Sequence, residues 1–194
     1  MEKYEQQVRN YIGEKQWANA GNAWGNVLQV VQDQGEVNLY DIRSFEGYDE
    51  SVITKYLNLP EVQQLMHTTG HKWSLCDGPV YSHLANAMPQ SQQYKVVSLL
   101  NQGKVKVVLY NGLMDIIIPT SGAIEWIKNM DWSGKKGFSS SDRKIWKNPR
   151  GQVAGYTQSY GPLTQISVLG AGHMVPMDQT LNSIDMIEKF LIGH

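Results

Sequence analysis

Cysteine is almost absent from this chain of 194 residues: Cys76 stands alone, so no disulfide can form within it. Such a residue can serve as a small buried hydrophobe, or as a half-cystine whose partner lies outside this sequence. Both readings stand at this point. The chain also lacks any apolar run near the roughly 18 residues that a membrane-spanning helix requires, so no membrane role is expected. The N-terminal stretch Met1 to Gln7 is polar and lacks the apolar core of a signal peptide. On these residues alone the chain shows no route into a secretory pathway, and it contains no Asn-X-Ser/Thr sequon. An excess of one charge is missing too: 17 Lys and Arg against 18 Asp and Glu leave a net charge of −1. That balance excludes nucleic-acid or membrane-surface binding that depends on global positive charge. The densest basic clusters, Lys135-Lys136 and Arg143-Lys144, sit among Gly and Ser and read as solvated loop. There is no internal repeat and no low-complexity tract.

What is present reads as helices first and an α/β pattern afterwards, in a chain long enough for one domain with a substantial core. Residues 5–33 hold two helical stretches. Val8, Tyr11 and Ile12 mark one; Trp24, Val27, Leu28 and Val31 mark the other, at the i, i+3, i+4, i+7 spacing of an amphipathic helix. The second ends near Gly35, and Asn38 to Arg43 is irregular, an extended or loop segment. A short helix is expected over Ser51–Leu57. Another starts at Pro60-Glu61, where proline loses no needed hydrogen bond and the acid meets the positive helix end. Val80–Ala87 and Tyr94–Gln102 are further helices, the latter stopped by Gly103. From Val105 to Tyr110 the chain becomes β-branched and apolar, as suits a strand buried on both faces of a mostly parallel sheet. A helix over Ser121–Met130 follows, then an edge or hairpin strand over 152–160 and a second apolar strand over Leu163–Leu169. The last helix is expected over Leu181–Ile192, with Ile184, Ile187, Phe190 and Leu191 on one side. Strand, helix, hairpin, strand, helix is an α/β pattern.

Two places carry candidate chemistry, and both lie where an apolar strand meets a loop. In open α/β sheets ligands bind beyond the carboxyl ends of the strands. The first place is Asn111-Gly112-Leu113-Met114-Asp115, where the carboxylate sits among Leu113, Met114, Ile116, Ile117 and Ile118. A buried carboxylate is costly unless it is paired or hydrogen-bonded, so Asp115 either caps its own loop or has a partner. The second is Gly170-Ala171-Gly172-His173, whose glycines let the backbone turn sharply and put the imidazole at the loop tip. The Gly170–Gly172 stretch is too short for a dinucleotide-binding fingerprint. His67, His71, His83 and His194 are read as structural. His67 and His71 stand at i, i+4 without a third ligand, so no metal site is expected. An acid after one sheet strand and a histidine after the last, 58 residues further on, is the acid–base half of an α/β-hydrolase triad.

Several segments together resemble the serine carboxypeptidases. They are Tyr40-Asp41-Ile42-Arg43, Tyr56-Leu57-Asn58 with Pro60 and Val62-Gln63, Trp73 with Cys76, Val108-Leu109-Tyr110-Asn111-Gly112 with Asp115, Val153-Ala154-Gly155-Tyr156, and Gly170-Ala171-Gly172-His173-Met174-Val175-Pro176 with Asp178-Gln179. Within that family the vitellogenic-like members are the nearest match. The resemblance implies an α/β fold, the C-terminal part of an α/β-hydrolase with part of a helical cap. Residues 1–90 would be the later part of the cap and residues 91–194 the C-terminal part of the core. It implies Asp115 as the triad acid, His173 as the general base and Met174 lining the site beside it. The substrates would be peptides with a free C-terminus, cleaved through an acyl-enzyme without metal or other cofactor, in lysosomes, vacuoles or outside the cell. It also favours the half-cystine reading of Cys76, paired with a cysteine of the N-terminal part of the enzyme.

One part of the pattern is missing. No Gly-X-Ser-X-Gly elbow occurs anywhere in the chain, and the nucleophile and oxyanion glycines of the family lie N-terminal to the matching region. The expectation is therefore a fragment or processed chain, inert alone, whose partner is the N-terminal segment or chain of the same enzyme. A homodimer is a further option. Two other readings keep the fold: a non-catalytic binding protein, and an acyltransferase or lyase relative.

Overall fold

A computed structural model describes residues 2–193, so His194 lies outside the described residues. The chain divides into two compact units, residues 1–30 with 46–90, and residues 31–45 with 91–194. Residues 31–45 cluster with the second unit.

The first unit is helical. It contains α1 (Glu2–Gly13), the larger part of α2 (Trp17–Gly35), α3 (Ser51–Leu57), α4 (Pro60–Leu65) and α5 (Gly78–Leu84). Pro60 occupies the first turn of α4, where its missing N–H is not needed. Asp77 caps α5 by accepting from the Val80 N–H at 2.9 Å. Asn58 ties the connection that follows α4 back to α3. Its side chain accepts from the Trp73 N–H at 3.0 Å and donates to the Trp73 carbonyl at 3.0 Å. Cys76 is exposed, which sets aside the buried-hydrophobe reading. His67, His71 and His83 are exposed as well. Among the described residues no helix is long and apolar enough to cross a membrane.

The second unit is built on α6 (Gln93–Gln102), β1 (Val107–Gly112), α7 (Thr120–Asn129), α8 (Lys135–Ser140), β2 (Lys144–Lys147), β3 (Val153–Tyr160), β4 (Leu163–Val168), α9 (Val175–Asp178) and α10 (Thr180–Met186). Gly103 ends α6 in the left-handed conformation at φ +63°, which glycine adopts without a Cβ penalty. The four strands lie in the order β1-β4-β3-β2. β1 runs parallel to β4, and β4, β3 and β2 are successively antiparallel. The sheet is therefore mixed rather than mostly parallel, because the hairpin joining β3 to β4 and the short β2 contribute antiparallel pairs.

Successive side chains of β4 point to opposite faces, and both faces are covered. Ile166 and Val168 enter one cluster with Trp146, Ala154, Ala171, Val175 and Met186. Leu163 enters the other, with Leu100, Ile127, Met130, Trp132 and Phe138. This is helix packed on both sides of a sheet, the α/β arrangement that the sequence pattern indicated. β1 is less enclosed than the sequence suggested. Val107, Val108 and Leu109 are half-buried and Tyr110 is exposed, because β1 is an end strand with β4 as its one partner among the described residues.

Three local readings change. Lys135–Ser140 is a helix that buries Phe138, and Lys144–Lys147 is a strand that buries Trp146, where a solvated loop was expected. Each presents a single buried side chain, too little to register as periodicity. The last helix is not uniform: α10 passes at Ile187 into a π-helical segment, Ile187–Ile192. The inward line runs one residue ahead of the isoleucines, before this segment as well as within it. Ser183, Met186 and Phe190 turn inward, while Ile184, Ile187 and Leu191 are exposed.

Ile166 is fully buried in the strand that both clusters share. Ile166→Ala is expected to cost about 2–5 kcal/mol, read from the midpoint of urea unfolding. A cost below roughly 0.5 kcal/mol, the range of ordinary surface substitutions, would show that this strand does not anchor the unit.

Candidate active site

The parallel register pairs Gly112 with Val168 at the carboxyl ends of β1 and β4. Both strands therefore finish at the same level, and the loops that follow leave side by side. Their approach is too close for side chains. A Cβ on Gly112 would overlap the carbonyl oxygens of Ala171 and Gly172, so glycine is required there by space. Gly170 is required by conformation, at φ +66°. The loops are also joined directly, Leu113 N–H donating to the Val168 carbonyl at 3.1 Å and Met114 N–H to that of Ala171 at 2.9 Å.

This geometry brings Asp115 and His173 together. His173 Nδ1 lies 2.9 Å from Asp115 Oδ2. The two side chains differ sharply in environment, the carboxylate 4% and the imidazole 37% exposed. The other carboxylate oxygen, Oδ1, accepts from the Ile118 N–H at 3.1 Å. Asp115 thus caps its own loop and pairs with a histidine. An ionised carboxylate can only accept. In a neutral ring facing such a carboxylate, Nδ1 carries the proton and Nε2 is the acceptor. Met174, next in the chain, is also exposed. Its carbonyl accepts from the N–H groups of Met177 and Asp178, at 2.9 and 3.0 Å.

A third segment meets both loops. Leu39 O accepts from the N–H groups of Ile116 and Ile117 at 3.0 and 3.1 Å, and Ile42 N–H donates to Met114 O at 3.1 Å. Tyr40 O accepts from the His173 N–H at 2.7 Å, and the Tyr40 ring stands edge-on to the imidazole with centroids 5.3 Å apart. Arg43 forks onto both oxygens of the buried Asp41. Tyr40, Asp41, Arg43 and Asp178 were not singled out for chemistry from the sequence. The available signal was the acid and base two residues apart in an otherwise irregular stretch.

A buried acid and an accessible histidine, on loops at the carboxyl ends of adjacent parallel strands, is an arrangement characteristic of the α/β-hydrolase class. Comparison with solved structures agrees on the fold. Over 95% of its length the chain superposes, with a TM-score of 0.71 and 24% identity, on 45% of the chain of Kex1(Δ)p, a prohormone-processing carboxypeptidase from Saccharomyces cerevisiae. The family follows from the sequence match: residues 2–193 fit the serine carboxypeptidase model, and the chain belongs to that family. Among relatives it is 31% identical to serine carboxypeptidase-like 50 of Arabidopsis thaliana, over 94% of this chain and 41% of the relative. It is likewise 31% identical to the probable serine carboxypeptidase CPVL of Dictyostelium discoideum, over 98% of this chain and 39% of that one. The human protein of the same name is 32% identical over 80% of this chain and 33% of its own length. The chain thus spans about two fifths of the first two relatives.

The Arg43 side chain holds the Asp41 carboxyl below the ordinary carboxylate range, its hydrogen bonds outweighing the effect of burial. Another charged group near this pair is Asp178, whose Oδ2 is 3.7 Å from Arg43 Nη2. A carboxyl with a depressed folded pKa stabilises fully above its unfolded value, about 3.9, and ceases to do so as the pH falls through the folded value. The melting-temperature gap between the unaltered chain and Asp41→Asn is therefore expected to hold from neutrality to about pH 5 and to close as the pH falls through the lowered folded value. A gap that widens on acidification would contradict the assignment.

Proposed function

We propose that this chain supplies the acid–base pair of a serine carboxypeptidase, with His173 as general base and Asp115 as the acid that orients it. The observation that carries the reading is the 2.9 Å contact between His173 Nδ1 and the buried Asp115. It leaves Nε2 to receive a proton from a nucleophile and return it to the leaving group. Family membership supplies the reaction class. The substrate is a peptide with a free C-terminus, and an acyl-enzyme forms and is then hydrolysed. Met174 flanks the reacting centre.

The serine comes from elsewhere in the enzyme, since the chain contains no Gly-X-Ser-X-Gly elbow. Removing the nucleophile of a triad costs about six orders of magnitude in turnover, so the chain alone is inert as a peptidase. Its partner is the N-terminal segment or chain of the same enzyme, and Cys76, which is exposed, is the proposed cross-link between the two. The setting is lysosomal, vacuolar or extracellular.

Labelling of native source material with a fluorophosphonate, followed by gels with and without reductant and an antibody to this chain, tests the reading. A labelled species that splits on reduction, leaving the label on the other chain, is the outcome expected of a two-chain enzyme. A labelled single chain of full size would support the acid–base role without the cross-link. An antibody signal confined to an unlabelled product near 21.9 kDa would overturn the enzyme reading in favour of a binding role. In the labelled enzyme, His173→Ala is expected to abolish turnover of a blocked dipeptide and Asp115→Asn to lower it by about 10⁴. Near-normal turnover in either variant would refute the corresponding role.

A further inference from the structure

We propose that Arg43 is a positioning residue for His173, holding the histidine loop from behind so that the imidazole meets Asp115. The inference rests on the acid–base reading of that pair.

A guanidinium is a rigid planar fork. Here Nε donates to Asp41 Oδ1 at 2.9 Å and Nη2 binds Asp41 Oδ2. Asp41 is buried and its Oδ1 also accepts from the Arg43 N–H at 2.9 Å. With one edge of the plane fixed by two bonds, the direction of Nη1 is set. It donates to the Gly170 carbonyl at 2.8 Å, across a sequence separation of 127 residues. The Gln179 side chain donates to the same carbonyl at 2.9 Å. Nη2 also stands 3.7 Å from Asp178 Oδ2, the oxygen that accepts from the Gly172 N–H at 2.7 Å.

Gly170 and Gly172 are the two peptide handles immediately before His173, and both lead back to Arg43. The histidine's own N–H is held by Tyr40 O, three residues from Arg43 in the same segment, and that segment also grips the Asp115 loop through Leu39 and Ile42. One short piece of chain therefore sets the two loops relative to each other. Arg43 is not a core residue, since its side chain is 43% exposed and it belongs to neither apolar cluster. Lysine cannot substitute: a single ammonium lacks the fork that fixes one bond by making the others.

The test is ¹⁵N NMR of the full chain labelled at histidine and tryptophan, with His173 assigned by its loss in His173→Gln. In the unaltered chain His173 is expected as the Nδ1–H tautomer, its proton shifted downfield by the bond to Asp115. In Arg43→Met and Arg43→Lys that downfield proton is lost and the ring becomes an exchanging mixture of tautomers. The Trp146 Nε1–H resonance, which reports its bond to Asp185 in the sheet core, stays in place. A His173 spectrum unchanged in both variants overturns the proposal. So does loss of the Trp146 resonance in both, which makes Arg43 a support of the whole unit. Where only Arg43→Met loses it, Arg43→Lys decides by the same two signals. Failure of the underlying reading is distinguishable, because His173 of the unaltered chain would then match that of Asp115→Asn.

Discussion

The parallel pairing of β1 with β4 sets the level at which two distant parts of the chain leave the sheet, and the site follows from that level. Gly112 and Val168 are register partners, so the Asp115 loop and the His173 loop start as neighbours. A slip of one residue would turn every side chain of β1 to the other face and would carry Gly112 away from the Ala171 and Gly172 carbonyls it accommodates. The register is held by burial. Val108 packs with the cluster on one face, Val107 and Leu109 with the cluster on the other, and a slip would exchange them.

Above that foundation the two side chains are treated differently. Asp115 is enclosed and immobilised, one oxygen by a backbone N–H and the other by the imidazole. His173 is fixed at its backbone and at Nδ1 but open elsewhere. A carboxylate taken out of water needs its partners, so the acid is tolerated because the loop around it and the histidine across from it provide them. The same two bonds that make its burial acceptable fix where it points. Restraint of the acid and access to the base come from one arrangement.

Much of this was legible in the residues. The apolar, β-branched runs ending at Tyr110 and Leu169 marked the two strands, and Asp115 and His173 stood out as polar side chains immediately past them. In segment 39–43 the stretch Tyr40-Asp41-Ile42-Arg43 carried part of the family resemblance, but its contacts were not legible, for a physical reason: Leu39 and Tyr40 act through their carbonyl oxygens, and Ile42 through its N–H. Main-chain groups are the same for nearly every residue type, so a sequence does not reveal such bonds. Trp146 and Phe138 were missed because each is the one buried side chain of a short element. The inward face of the last helix was misassigned in part because its inward line includes the polar Ser183, while the isoleucines one residue later, Ile184 and Ile187, are exposed.

The sheet is unequal at its two ends. At β2 the outer strand is only four residues long and carries Lys144 and Lys147, and short charged edges discourage further pairing. At β1 the outer strand is longer and offers Val107, Val108, Leu109 and Tyr110. The molecule is therefore extensible in one direction. A strand joining on that side would run along β1, whose last residue is three positions from Asp115, and would end beside the Asp115 loop.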